Sequence, residues 1–382
     1  MSGLAIVGGG PAGVAAVRGY REAGGDGPVT LLSADPDPPY VRPLLSKELL
    51  RGESDGAAIE DEDFFEEHGV ELRLGTEVAA LDPDERRLRL AGGETIGFGA
   101  CVLATGAAPV RLPVPGGDDP GVRTLRSMRD AHGLRAAAEQ ARTAIVIGSG
   151  FIGCEAAASL AMRGLRVALV SDEPVVHAAR LGGEAGRRIG DWLLELGVAL
   201  HLGAGVESIE PGVVRVPGAP AIEADLVLAA AGVRPRAELA EAAGLEVRDG
   251  RIVTDERMRT SAPGVYAAGD VALATNAAAG RRLPVEHWGE ALNHGEVAGA
   301  QAAGGDAEWA TAPGFWSTIG ERTLKHVAWG DGFDEARLVV HPGGGWTVWY
   351  GRGGTTVGVL THECDEDYEH GRGLVERARP LP

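Results

Sequence analysis

Short apolar runs that end abruptly in glycine alternate with stretches of helical period along most of this chain, and only the final portion breaks that rhythm. Leu4-Ala5-Ile6-Val7 passes into Gly8-Gly9-Gly10-Pro11-Ala12-Gly13 and then into an Ala-rich helical pattern, with Pro28 to Leu32 as the next strand. Phe64 to Gly69 closes a short helix, Val70 to Leu74 reads as a strand, and Arg86 to Leu90 with Thr95-Ile96 reads as a hairpin. Cys101 to Leu103 is another apolar strand. It ends in the small-residue turn Ala104-Thr105-Gly106, which admits either close ligand contact or a plain exit from the unit. Pro109, Pro113 and Pro115 mark that exit, and Asp130 to Gln140 has a helical period.

The plan then repeats. Ile145-Val146-Ile147 runs into Gly148-Ser149-Gly150-Phe151-Ile152-Gly153 and directly through Glu155 into a helix, with Arg166 to Val170 as the following strand. Asp191 to Leu196 and Val198 to Leu202 repeat the earlier helix-glycine-strand order, and Ala224 to Gly232 repeats the exit at 101–106. Gly250 to Asp255 and Val265 to Asp270 follow, the latter ending in a carboxylate with a helix expected behind it. Glu286-His287-Trp288 then leads into an Ala/Gly-rich helix reaching about Gly299. Beyond a boundary at Gly304 to Pro313 the period becomes 2, with Leu324–Val327, Ala336–Val340, Trp346–Tyr350 and Thr356–Leu360 predicting a small antiparallel sheet and Asp365–Arg379 a charged terminal helix. Trp309, Trp316, Trp329, Trp346 and Trp349 all fall in this region, most of them expected in its core.

The two glycine turns carry the first chemistry. In each, the first glycine (Gly8, Gly148) permits a sharp turn, the second (Gly10, Gly150) permits backbone approach to a pyrophosphate, and the third (Gly13, Gly153) lets the helix lie close on its sheet. Pro11-Ala12 and Phe151-Ile152 fill the variable positions and belong to the same candidate phosphate sites. Two turns in strand-to-helix context imply two dinucleotides; glycine turns that bind nothing are the alternative.

Composition narrows the partners. The 382 residues, 44% hydrophobic, suffice for two or three domains with their own cores. Acidic residues outnumber basic ones by 55 to 36, a formal charge of -19, which disfavours nucleic acid or anionic lipid as the main partner. No segment has the length of a membrane span, and the amino end reads as strand, turn and helix in place of a cleavable leader, so a cytoplasmic protein is expected. Cys101, Cys154 and Cys364 stand alone, without CxxC or ligand spacing, so no metal site and no dithiol centre is expected.

Among polar residues, Asp35 is the first carboxylate after the second strand able to reach an adenosine ribose; it comes slightly late, and Ser33 lies nearer the usual place. Closely spaced prolines in Pro38 to Lys47 deny ordinary helix until Ser46 and so present Arg42 and Lys47 on a rigid segment, either as a solvated basic pair or as cations beside a cofactor ring. Ser171 stands where a carboxylate would favour an unphosphorylated ribose. Asp172 and Glu173 follow with no adjoining arginine or lysine, which favours NADH over NADPH unless Arg180, Arg187 or Arg188 folds back.

With both phosphate turns, Pro39-Tyr40-Val41-Arg42-Pro43-Leu44-Leu45-Ser46-Lys47, Tyr266 to Asp270, and Phe315-Trp316-Ser317, the chain resembles the flavoprotein reductases that carry electrons from NAD(P)H to ferredoxins in cytochrome P450 and ring-hydroxylating dioxygenase systems. The likeness covers almost the whole chain; apoptosis-inducing factor-like oxidoreductases share the Tyr40 to Lys47 pattern. The resemblance implies an α/β fold with two Rossmann-like domains: an FAD domain (1–108 and 233–308) interrupted by an NAD(P) domain (109–232), then a C-terminal α+β domain (309–382) forming the far side of the flavin pocket.

It further implies that Gly8, Gly10, Gly13 and Asp35 hold the AMP half of FAD, Gly269-Asp270 its ribityl region, Lys47 the flavin N5 side and Trp316 the pyrimidine side. Gly148, Gly150 and Gly153 would serve NAD, with Glu155 and Glu286 near the nicotinamide; Arg42, Ala104, Thr105, Gly106, His287 and Trp288 complete the cofactor-binding set. Two departures stand out: Ser171 takes an acidic place, and Ile319 follows Ser317-Thr318 where many relatives are more polar.

The implied activity is electron transfer from NADH, with NADPH as the alternative, through one non-covalent FAD to a small ferredoxin that supplies an oxygenase; a rubredoxin is the other carrier considered. Lys47, Glu155, Glu286 and Trp316 would align and tune the rings, and a helix N-terminus after Asp270 would face charge developing near flavin N1. The competing readings are an NAD(P)H oxidase, peroxidase or disulfide/quinone reductase, which commonly needs a cysteine beside the flavin that Tyr40 to Lys47 lacks, and a redox-sensing flavoprotein. No oligomeric state follows from the sequence. Docking of an acidic ferredoxin on so acidic a protein would require a locally basic surface, which the sequence does not locate.

Overall fold

The apolar runs become buried strands of two parallel sheets, in a computed structural model that describes residues 3–382. The first sheet has the order 265–267, 100–103, 4–7, 29–32, 70–73, all parallel. The second has the order 199–202, 166–171, 143–147, 226–229, 122–123, again all parallel. Leu4–Val7 and Leu226–Ala229 are buried at every position, as expected of strands with both faces covered. The glycine turns leave the carboxyl ends of Leu4–Val7 and Thr143–Ile147, the central strand of each sheet. A two-stranded antiparallel ribbon, Ala107–Pro109 with Val233–Pro235, joins the chain leaving the first sheet to the chain returning from the second.

Small residues decide how the first turn is covered. Helix Pro11–Glu22 lies against helix Trp288–Ala302 so closely that a Cβ on Gly295 or Gly299 would collide with the Ala12 or Ala16 carbonyl oxygen, and one on Gly19 with that of Glu296. The Ala/Gly richness of both helices is therefore a packing requirement.

The C-terminal unit is an antiparallel sheet in the order 314–319, 322–328, 355–362, 346–352, 335–340, followed by helix Asp365–Glu376. Its first strand, Gly314–Ile319, adds a fifth to the four expected. Trp309, Trp346 and Trp349 are buried, whereas Trp329 is half-buried and Trp316 exposed.

Two expectations are corrected. No helix follows Asp270: Gly269–Val271 is a single 3₁₀ turn leading into strand Ala272–Asn276, because that run pairs with Arg251–Thr254 on one side and Arg281–Pro284 on the other. The expected helix at 191–196 extends over Ala178–Glu195 with a break at Gly182 (φ 76°), the low helix propensity of Gly182, Gly183, Gly186 and Gly190 having hidden its first half. Among the described residues, no helix is long and apolar enough to cross a membrane, and no group of His, Cys, Asp and Glu could hold a metal ion.

Candidate active site

Both glycine turns have the geometry of open anion sites. Gly8 (φ 125°) and Gly148 (φ 109°) adopt a backbone closed to other residues, and a Cβ on either would strike the carbonyl oxygen of Ala104 or Ala230. A Cβ on Gly13 or Gly153 would strike the carbonyl of the turn's own first glycine. Gly10 and Gly150, by contrast, have nothing within 4 Å of a Cβ. Each is the N-cap of its helix, with no side-chain cap and no acidic residue in the first turn, so free backbone N–H groups face open space. Two uncapped, acid-free helix starts beneath bare glycine suit the pyrophosphates of two dinucleotides.

Lys47 connects the two turns. The proline-fixed segment makes a 3₁₀ turn at Arg42–Leu44, and Lys47 caps the short helix Glu48–Arg51, which begins two residues after the expected Ser46. Lys47 and Glu155 are only 6% and 4% exposed, and Lys47 Nζ donates to Glu155 Oε2 at 2.9 Å. Ser46 Oγ donates to the same oxygen (2.5 Å) and Ser317 Oγ to Oε1 (2.7 Å), while Ser159 Oγ donates to the Ser46 carbonyl (2.7 Å). A buried ion pair is tolerable when further hydrogen bonds satisfy it, and Glu155 receives them from both sides. Among the described residues, Lys47 Nζ has no second side-chain acceptor.

A second polar group lies around Asp270. Its Oδ2 accepts from Arg126 Nη2 (2.7 Å), and Arg126 Nε reaches the Ala107 carbonyl (3.1 Å). Arg42 donates to the Arg126 carbonyl (2.7 Å) and lies over the Tyr40 ring, 5.0 Å from its centroid; burial pulls its pKa down. Tyr40, pushed up to about 12 mainly by burial, donates its hydroxyl proton to Asp35 Oδ2 at 2.8 Å. Gly269 brings this group to the first turn, since a Cβ there would lie 3.1 Å from Ala12 Cβ and 3.5 Å from Ala291 Cβ. Arg126 was not singled out by the sequence: it precedes the Ser127 cap of helix Met128–Gln140 and has no motif around it.

The remaining candidates separate. Thr105 gives its hydroxyl to the Arg236 carbonyl (2.7 Å), next to Gly106 at φ 65°. Glu286 is ion-paired with Arg251, so the two carboxylates expected near a nicotinamide have different partners. His287 stacks on Phe315 (centroids 4.3 Å apart), Phe315 meets Phe151 edge-on (4.6 Å), and Phe151 rests on His177 (4.2 Å). Trp288 opens helix Trp288–Ala302, and Ile152 is 45% exposed. Along Gly314–Ile319, Phe315 and Ser317 point inward while Trp316, 51% exposed, points outward opposite Lys325. Cys101 and Cys154 are fully buried, the Cys101 thiol pushed up to about 12 by burial, and none of the three cysteines is in a disulfide.

Residues 2–302 match the family described as "Pyridine nucleotide-disulphide oxidoreductase". The chain is 34% identical over 329 residues to a rubredoxin-NAD(+) reductase of Pseudomonas putida, spanning 84% of this chain and 85% of that one. It is 34% identical over 380 residues to the 5,5'-dehydrodivanillate O-demethylase ferredoxin reductase subunit of a Sphingobium species, spanning 97% and 92%. Its fold superposes on the ferredoxin reductase for the CYP199A2 system from Rhodopseudomonas palustris with a TM-score of 0.94 at 29% identity, covering 100% of this chain and 96% of that one. With its paired glycine turns and the Lys47–Glu155 link between them, the chain belongs to the pyridine nucleotide-disulphide oxidoreductase family, in the branch of FAD-dependent NAD(P)H:ferredoxin reductases.

Proposed function

We propose that this protein takes electrons from NADH and passes them through one non-covalently bound FAD to a small ferredoxin, or a rubredoxin, that supplies an oxygenase. The observation that carries the reading is the buried Lys47–Glu155 pair, which ties the segment after the first glycine turn to the helix after the second. FAD, when bound, supplies the chemistry that turns a two-electron hydride donor into single electrons. In this proposal residues 1–108 and 233–308 bind FAD, 109–232 bind NADH, and 309–382 close the flavin pocket.

The chain's own residues bind, orient and hold charge. Gly8, Gly10 and Gly13 leave the start of helix Pro11–Glu22 bare for the FAD pyrophosphate, and Asp35, oriented by Tyr40, takes the adenosine ribose. Arg126 fixes one oxygen of Asp270, leaving the other for the ribityl hydroxyls. Lys47 offers its remaining protons to the flavin edge while Glu155 stabilises the ammonium. Helix Trp288–Ala302, packed beside the first turn, replaces the helix expected after Asp270 as the positive dipole end for developing negative charge. Outward-facing Trp316 offers an exposed apolar contact for the carrier, while Lys325 across the ladder is held by Asp365.

The test is stopped-flow oxidation of the NADH-reduced enzyme against ferredoxins, rubredoxin, quinone, disulfides and oxygen. Rapid one-electron transfer to at least one iron-sulphur or rubredoxin-type carrier, with slow oxygen turnover, is expected. Fast two-electron reduction of a small acceptor with no competent protein carrier would overturn the reading.

A further inference from the structure

The strand that should end in a ribose-binding carboxylate ends instead in Ser171, yet the position is not left neutral. Glu173, two residues on, turns back: its Oε2 accepts from Ser149 Oγ at 2.8 Å, and Ser149 is the residue between the first two glycines of the second turn. Ser149 and Ser171 hydroxyls are 2.8 Å apart. A serine hydroxyl has one proton, and that of Ser149 goes to Glu173, so Ser171 donates to Ser149. Ser171 Oγ in turn accepts from the Glu173 N–H (3.2 Å), which closes the ring. Glu173 Oε1 takes the Ala179 N–H (2.9 Å), and the Glu173 carbonyl takes the Gly203 N–H (2.9 Å). Side chain and backbone are both pinned, and each carboxylate oxygen keeps a lone pair for another donor.

We propose that Glu173, held by Ser149 and Ser171, selects NADH over NADPH by accepting from the adenosine ribose hydroxyls and repelling a 2′-phosphate. The inference rests on reading the second glycine turn as the NAD site. The three arginines able to offset the carboxylate are engaged elsewhere. Arg180 lies over the Phe151 ring, 5.9 Å from its centroid, Arg187 is ion-paired with Glu184, and Arg188 lies over Trp346 at 5.7 Å. Exposed Asp172 next to Glu173 adds a second negative charge.

Calorimetric titration of the FAD-loaded protein with 5′-AMP and with 2′,5′-ADP isolates this end of the cofactor, because the two ligands differ only in the 2′-phosphate. The wild type is expected to bind 5′-AMP about tenfold more tightly or better, and Glu173→Gln to shrink that ratio by about threefold or more, chiefly by tightening 2′,5′-ADP. Gln keeps one amide oxygen to accept the Ala179 N–H, and its NH2 can donate to Ser149 Oγ, whose own proton then turns to Ser171, so the substitution removes charge and leaves the loop tethered. A ratio that changes by less than this, or a wild type that holds 2′,5′-ADP as tightly as 5′-AMP, overturns the assignment. Bleaching of the flavin by NADH separates the two levels of the argument. If it persists in Glu173→Gln while the ratio is unmoved, the specificity assignment falls and the reductase reading stands. If the wild type binds neither adenosine ligand and is not bleached, both fall.

Discussion

Lys47 and Glu155 are 108 positions apart in the chain and 2.9 Å apart in the fold, in a contact closed off from solvent. Ser317, 162 positions from Glu155, completes the contact from the C-terminal sheet, so one carboxylate records the docking of three parts of the molecule. Removing Lys47 would leave that carboxylate buried with only hydroxyl donors, a loss on the order of 3–5 kcal/mol for a buried pair. Lys47→Met is therefore expected to retain FAD, to lower the unfolding midpoint, and to change both the rate of flavin reduction and the flavin potential. Wild-type stopped-flow rates and potential in an FAD-loaded variant would reduce Lys47 to a structural cation.

Gly150→Ala separates ligand binding from folding. The position is extended (φ -74°), with nothing within 4 Å of a Cβ, so the fold should accept the methyl group. The methyl group would, however, occupy the approach to the helix N-terminus. A loss of about tenfold or more in NADH affinity, roughly 1.4 kcal/mol, is expected with unchanged thermal midpoint and FAD content. Loss of FAD or of stability instead would mean that the second turn serves the architecture alone.

Acid should destabilise the protein well above the usual carboxylate range. His177, His294 and His326 are buried, and burial pushes each down to about 3. An unfolded histidine titrates near 6.5, so the unfolded chain binds more protons between these values; the stability conferred is complete above about pH 6.5 and is lost as pH falls from there. At pH 5 each histidine accounts for about 2 kcal/mol. Denaturant unfolding at pH 7 and pH 5 checks this. His294→Leu, at a site where neither ring nitrogen has a hydrogen-bond partner, should flatten the pH dependence by about one proton; an unchanged slope would refute the assignment.

Trp316→Ala should act on the electron-output half-reaction. Half of the side chain is solvent-exposed, so stability should change by no more than about 0.5 kcal/mol. Flavin reduction by NADH should stay within about twofold of wild type while kcat/KM for the protein carrier drops about tenfold, an effect of roughly 1.4 kcal/mol. Equal losses in both half-reactions would place Trp316 with the flavin alone.

Much of this site could be read from the chain because its causes are local. A glycine turn needs one strand, one positive φ and one helix start within a single short stretch, so Gly8 to Gly13 and Gly148 to Gly153 announce their geometry, and the prolines before Lys47 announce a rigid approach. The alternating pattern of the last region likewise gave away an antiparallel sheet, although its first strand, Gly314–Ile319, hid behind a motif. What sequence could not supply was the choice of partner for each charge. Asp270 pairs with Arg126 across 144 positions and Glu286 with Arg251 across 35, and the residues behind Asp270 become strand because Arg251–Thr254 before them and Arg281–Pro284 after them pair with both their edges. Glu173 returns to Ser149 because the parallel sheet sets the end of Arg166–Ser171 beside the turn that leaves Thr143–Ile147. The conformation of a glycine turn is set largely within a few residues; whether a run becomes helix or strand, and which carboxylate meets which cation, is decided by how the sheets and connecting ribbon fold back on one another.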